Sequence, residues 1–91
     1  MKTIKLNVNN IVSIDTDGSI IFTSYNYPIC KSDKDSNIIF YRKGFNKSEK
    51  SVQFNDEIAF TRTTLKYLLG ALNLSKTEFE NLINEKKYTI E

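Results

Sequence analysis

Thr3-Ile4-Lys5-Leu6-Asn7-Val8 alternates polar and apolar side chains. That period predicts a strand with Ile4, Leu6 and Val8 facing a core. Two further β-rich runs, Ile11 to Asp15 and Ser19 to Tyr25, flank Thr16-Asp17-Gly18. An Asp-Gly pair between such runs predicts a hairpin. After Pro28, Lys31 to Ser36 contains no apolar residue and reads as a loop. Asn37 to Lys43 resumes a strand rich in Ile, Phe and Tyr, Gly44 to Lys50 reads as a polar turn, and Ser51 to Asn55 returns with Val52 and Phe54 on one side. Together they predict a second hairpin with its tip over Arg42 to Lys50.

From Thr63 the period changes. Leu65, Leu68, Leu69 and Leu72 recur at spacings of three and four, which places them on one helical face with Thr63 as N-cap. Asn73-Leu74 interrupts this helix. Ser75-Lys76-Thr77-Glu78 then fits a capping box, opening a second helix to about Lys86 whose stripe is Phe79, Leu82 and Ile83. Lys86 and Lys87 suit the negative end of its dipole. Asp56 to Arg62 fits either a strand or an early helical turn, and Tyr88-Thr89-Ile90 fits an edge strand. Strands grouped before helices predict one α+β domain over residues 1–91, with an antiparallel sheet of four or five strands covered by a C-terminal helical hairpin.

Composition narrows the function classes. In 91 residues, 40% are hydrophobic and 26% charged, a balance that argues for a folded chain. The net charge of +2 is too small for a protein that lives by nonspecific binding of nucleic acid. The single cysteine, Cys30, cannot form an internal disulfide, and neither a secretory leader nor a run of roughly 20 apolar residues is present, so a cytoplasmic setting is expected. Basic residues are nearly all Lys, with only Arg42 and Arg62 otherwise, and Asn and Ile abound. That bias fits an AT-rich coding genome such as those of low-GC bacteria and their phages.

The absence of histidine removes the commonest general base and transition-metal ligand, and leaves Cys30 without a Cys-His partner. Gly18, Gly44 and Gly70 are isolated, so no phosphate-cradling motif exists. No catalytic residue, cofactor or metal site is expected. Asp33-Lys34-Asp35-Ser36-Asn37 alternates oxygen ligands as a calcium loop does, but Ile38 stands where that loop needs glycine and Gly44 where it needs a bidentate glutamate. A solvated loop is the expectation.

Three candidate surfaces remain. Tyr41, Arg42, Lys43, Phe45, Lys47 and Lys50 interleave aromatic and basic side chains around the expected turn, a pattern suited to an acidic protein or to phosphates and a stacked base. Tyr25 and Tyr27, beside Pro28, form a second surface of the kind that anchors interfaces. The third is Leu68 to Leu82, which resembles the helix-turn-helix of DNA-binding proteins, with Asn73 at the turn and Leu74, Phe79 and Leu82 at its apolar positions. That resemblance implies Lys76, Thr77, Asn81 and Asn84 as groove-facing residues, in the company of Glu78, Glu80 and Glu85.

The leading expectation is a non-enzymatic protein-interaction module, in its specific form a phage or mobile-element protein that binds and inhibits a larger host factor such as a defence nuclease, alone or complexed with nucleic acid. The alternatives are a small helix-turn-helix DNA-binding regulator and a homo-oligomeric structural or phage-assembly component. No membrane partner is expected.

Overall fold

The structure, a computed structural model, describes every residue from Met1 to Glu91. Five strands run in order, β1 (Lys2–Lys5), β2 (Asn10–Ile14), β3 (Ile20–Ser24), β4 (Tyr27–Ser32) and β5 (Ile38–Phe40), each antiparallel to the last. A short two-stranded sheet of β6 (Ser51–Gln53) and β7 (Ala59–Thr61) follows, then helices α1 (Arg62–Leu72) and α2 (Lys76–Asn84). The last strand, β8 (Tyr88–Ile90), pairs parallel with β5 and makes the large sheet six-stranded. The fold is therefore α+β, with an N-terminal antiparallel sheet and two C-terminal helices. No helix is long and apolar enough to cross a membrane.

Local chemistry explains most boundaries. In the β2–β3 hairpin the Asp15 amide donates to Ser19 O, the Gly18 amide donates to Asp15 O, and Gly18 takes a φ of 92°, which glycine adopts without a Cβ penalty. Asn73 closes α1 in the left-handed conformation, φ 56°, a geometry that asparagine tolerates. Ser75 and Glu78 form both bonds of the capping box, at 3.1 and 3.0 Å. The α1 cap is Thr61 rather than the expected Thr63, because Thr61 Oγ1 accepts from the Thr64 amide at 3.2 Å, so the helix starts earlier. At the other end α2 stops at Asn84: Lys86 takes a φ of 55° and Lys87 pairs with Glu85 outside the helix.

Two further expectations are corrected. All four residues of β1 are exposed, and Val8 is 74% exposed. The Asn7 carboxamide oxygen accepts from the amides of Asn9 and Asn10, turning the chain and ending the alternation that was to bury Ile4 and Val8. Only Leu6 of that set packs against the core. The second correction concerns the Gly44 hairpin, which does not form: β6 pairs with β7, not with β5. Tyr41 turns back instead, its amide donating to Ile29 O at 3.0 Å, and Arg42–Gly44 makes a single 3₁₀ turn.

The core lies between the large sheet, the β6–β7 ribbon and the helices. Phe40 is its hub, with ring centroids of Phe45, Phe60, Phe79 and Tyr88 at 5.4 to 6.1 Å. Val12, Phe22, Ile58, Leu68 and Ile83 surround it, all buried.

Candidate functional site

The fold brings together two surfaces that are separate in sequence. Strand β3 turns into β4 through Tyr25-Asn26 alone, with φ of 52° and 69°. A two-residue hairpin needs positive φ at both positions to match the strand twist. Asparagine accepts this readily; a tyrosine there is unusual and holds its ring at a strained tip. The Tyr25 amide is tied to Asn9 O at 2.8 Å. Just beyond the turn the register shifts, Thr23 facing Pro28 and Phe22 facing Cys30, so Ile29 is the extra residue on β4. Such a bulge re-aims side chains. Ile29 and Cys30 are buried while Tyr25 and Tyr27 are each 59% exposed.

The 3₁₀ turn lies against this part of β4. A Cβ added at Gly44 would stand 2.9 Å from Ile29 Cδ1 and 3.0 Å from Ile29 Cα, so only glycine permits the approach. The same turn is clamped from the other side. The Arg42 amide donates to Glu91 O and the Glu91 amide to Phe40 O, both at 2.8 Å. Between the two segments runs a groove of about 340 Å³ lined by Tyr27, Pro28, Tyr41, Arg42, Lys43 and Glu91. Its lining combines Tyr27, Pro28 and Tyr41 with the basic Arg42 and Lys43 and the acidic Glu91; long basic side chains can bury their methylenes against a partner while the cationic heads stay wet.

The remaining residues named from sequence are dispersed. Phe45 packs its ring between Phe40 and Phe60, at 6.1 and 5.6 Å, so it is a core residue rather than a free platform for a base. Lys47 donates through Nζ to the Asp56 carbonyl, and Lys50 lines a different cavity with Thr61, Arg62 and Thr63. Arg42 pairs with Glu57, a carboxylate that the loop before β7 carries to it. That pair is half exposed and contributes less than about 1 kcal/mol.

On α2, Lys76, Thr77, Asn81 and Asn84 are all exposed. Helical spacing puts them within one arc of about 140°, and Lys76 and Asn84 also line a cleft against Val52, Gln53 and Phe54 of the ribbon, with Glu80 between them. Arg62, Lys66 and Lys76 line a neighbouring groove of about 560 Å³ with Val52, Leu65 and Leu69, and none of the three makes an ion pair. Net charge hides this groove, which no acidic residue lines. The one signal available was the four-residue spacing of Arg62 and Lys66, which puts both on one side of α1.

The ionisable groups with shifted pKa are spoken for by their own loops. Hydrogen bonds from the Ser19 backbone and hydroxyl lower the Asp17 pKa, and bonds from Asn37 and the Asp35 amide lower that of Asp33. The would-be calcium loop thus uses the Asp33 carboxylate to hold its own turn, at 2.9 Å from the Asp35 and Asn37 amides. No three His, Cys, Asp or Glu side chains converge to hold a metal ion. Burial pushes the Cys30 thiol up to about 12, which leaves it protonated and inert at neutral pH. Compared with family models, curated proteins and solved structures, the chain matches nothing.

Proposed function

We propose that this chain is a non-enzymatic protein-interaction module that docks a partner through the face formed by Tyr25, Tyr27, Tyr41, Arg42 and Lys43. The observation that carries the reading is the groove itself: exposed Tyr27, half-buried Tyr41 and the basic Arg42 and Lys43 come from two segments to line one concavity, beside exposed Tyr25, and the Gly44 contact and the Glu91 clamp hold the two segments together. Tyrosine and arginine at the centre of a partly enclosed surface are the residue types that dominate interface energetics. Lys43, free of any ion pair, steers an acidic partner and raises its association rate. The narrower form of the proposal is a mobile-element protein that occludes a larger host factor such as a defence nuclease. It draws on the AT-rich coding character.

The test is affinity capture from a low-GC bacterial lysate with three baits, namely the parent chain, Tyr27→Ala with Lys43→Glu, and Lys76→Glu with Asn81→Ala. A protein retained by the first and third baits and lost by the second supports the reading; truncating a central tyrosine costs about 2 kcal/mol or more when it is an anchor. Loss confined to the third bait, or recovery of nucleic acid alone, overturns it.

A second reading, a small DNA-binding regulator, is favoured by the unpaired Arg62, Lys66 and Lys76 in one groove. If it holds, Lys66→Glu with Lys76→Glu reduces the slope of log affinity against log salt by about two.

A further inference from the structure

Beside the docking groove a second cavity of about 260 Å³ opens where the Tyr25-Asn26 turn, the 3₁₀ turn and the start of α1 meet. Its polar lining comes from Ser24, Lys43, Asn46, Thr61 and Thr64, and no carboxylate lines it. Lys43 and the Asn46 NH₂ are donors only, while the hydroxyls of Ser24, Thr61 and Thr64 can donate or accept. Thr61 Oγ1 already accepts from the Thr64 amide, and Asn46 Oδ1 from the Ser51 hydroxyl at 3.4 Å, which leaves the Thr61 O–H and the Asn46 NH₂. Lys43 has no ion pair. Ser24 is 3% exposed and its hydroxyl has no hydrogen-bond partner at all. A buried hydroxyl without a partner is a cost that structures rarely carry unless something fills it. Helix α1, eleven residues long, points its N-terminal end here with no acidic residue in its first turn, so its positive end is uncompensated.

We infer that this cavity is an acceptor pocket for a single carboxylate on a short aliphatic stem, an acidic side chain or the terminal carboxylate of a docked peptide. One lysine and neutral donors match a planar monoanion; phosphate sites usually recruit arginine forks or more charge. Ile29 and Phe45 supply apolar wall for the stem, and the volume is too small for a nucleotide. Ser24 lines the cavity with its hydroxyl buried, so an oxygen reaches it only if the lining gives way; Tyr25 and Tyr27, both exposed, belong to the same lining. The inference deepens the docking reading and rests on it, but its chemistry is tested without any partner.

The experiment is a titration of the ¹⁵N-labelled full chain with four probes: N-acetylglutamate amide, N-acetylleucine, N-acetylglutamine amide and inorganic phosphate. The expected result is saturable shifts at the amides of Ser24, Asn46 and Thr64 with one or both carboxylate probes, and binding about tenfold weaker for the neutral glutamine probe. Which carboxylate binds separates a side-chain occupant from a chain terminus. Ser24→Ala is expected to weaken the carboxylate by several-fold without lowering thermal stability, since the hydroxyl has no partner to lose. Lys43→Gln, a surface change, is expected to weaken it likewise. Absent shifts, equal binding of the glutamine probe, preference for phosphate, or unchanged binding in Ser24→Ala would each overturn the inference. If the pocket ignores carboxylates while Tyr27→Ala still loses a captured partner, the pocket inference alone has failed; the reverse pattern sinks the docking reading.

Discussion

The groove between Tyr27 and Arg42 is assembled by segments far apart in sequence, whereas the cap between Ser75 and Glu78 is complete within one turn of chain. The groove depends on Gly44 meeting Ile29, on the Tyr41 amide reaching Ile29 O and on Glu91 bonding Arg42. The helical hairpin depends on Asn73 in the left-handed region and on two local cap bonds. The first is a tertiary object with no independent existence; the second is a local object that tertiary packing merely recruits. The difference shows in the two glycines. Gly44 has β4 backbone at its Cβ position, while Gly70, in α1, has nothing within 4 Å.

The sharpest way to break the comparison is Gly44→Val. Its Cβ would overlap Ile29, and because a backbone atom is among the contacts, the turn must lift away rather than a rotamer adjust. A loss of about 1–3 kcal/mol is expected, read as a lower denaturant midpoint. Amide shifts should concentrate in β4, the 3₁₀ turn and β8, leaving α2 in place. A uniform change across both regions would show that the groove is not separately dependent on this contact.

Alkaline titration probes the same side by a different route. Cys30, on β4, keeps its proton in the fold up to about 12, against an ordinary value of 9.0. Above pH 9 the unfolded chain loses that proton and the folded one does not. Stability fully present below pH 9 is therefore lost as pH rises, at about 1.4 kcal/mol per pH unit. Cys30→Ala should flatten that limb, and thiol reagents at neutral pH should label the parent chain only at its unfolding rate.

Ser75→Ala tests the local object, with an expected cost of about 1 kcal/mol and amide shifts confined to α2 and its neighbours. The lowered Glu78 pKa reports the same box from the acid side: its contribution is present above pH 4.5 and is lost as pH falls through the lower folded value. Smallest of all, Gly70→Ala should stabilise α1 by about 0.5–1 kcal/mol, since open space awaits the methyl. A destabilising Gly70→Ala would mean that this helix, too, answers to tertiary constraints.

The same division explains how much could be read from sequence. The Asp17-Gly18 turn, the Asn73 break and the capping box are each written in adjacent residues whose chemistry acts locally, and the structure contains all three; the strand over Tyr88 to Ile90 was legible as an element but its parallel partner β5 was not. The partner of β6 was not legible, because Val52 alternates equally well beside β5 or β7, and only Phe45 entering the core and Tyr41 folding onto Ile29 decide between them. The burial of β1 was misread because Asn7 looks like any polar strand residue until its side chain is seen bonding ahead to Asn9 and Asn10. Of the candidate site, residue types were legible and their meeting was not. Tyr25 and Tyr27 were a separate surface from Tyr41, Arg42 and Lys43 until the bulge at Ile29 and the glycine contact joined them.

The parallel pairing of β8 with β5 has a kinetic consequence. Ile38 and Tyr88 lie about fifty residues apart in the chain, so their pairing closes one of the longest loops in the fold and must await entropy losses that local turns avoid. The Arg42 amide finds its acceptor in Glu91 only once that strand has arrived. Refolding should therefore complete the two local turns and the helical hairpin first and seal the tyrosine groove last, so that a chain still emerging from its folding reaction is compact before that groove has its final shape.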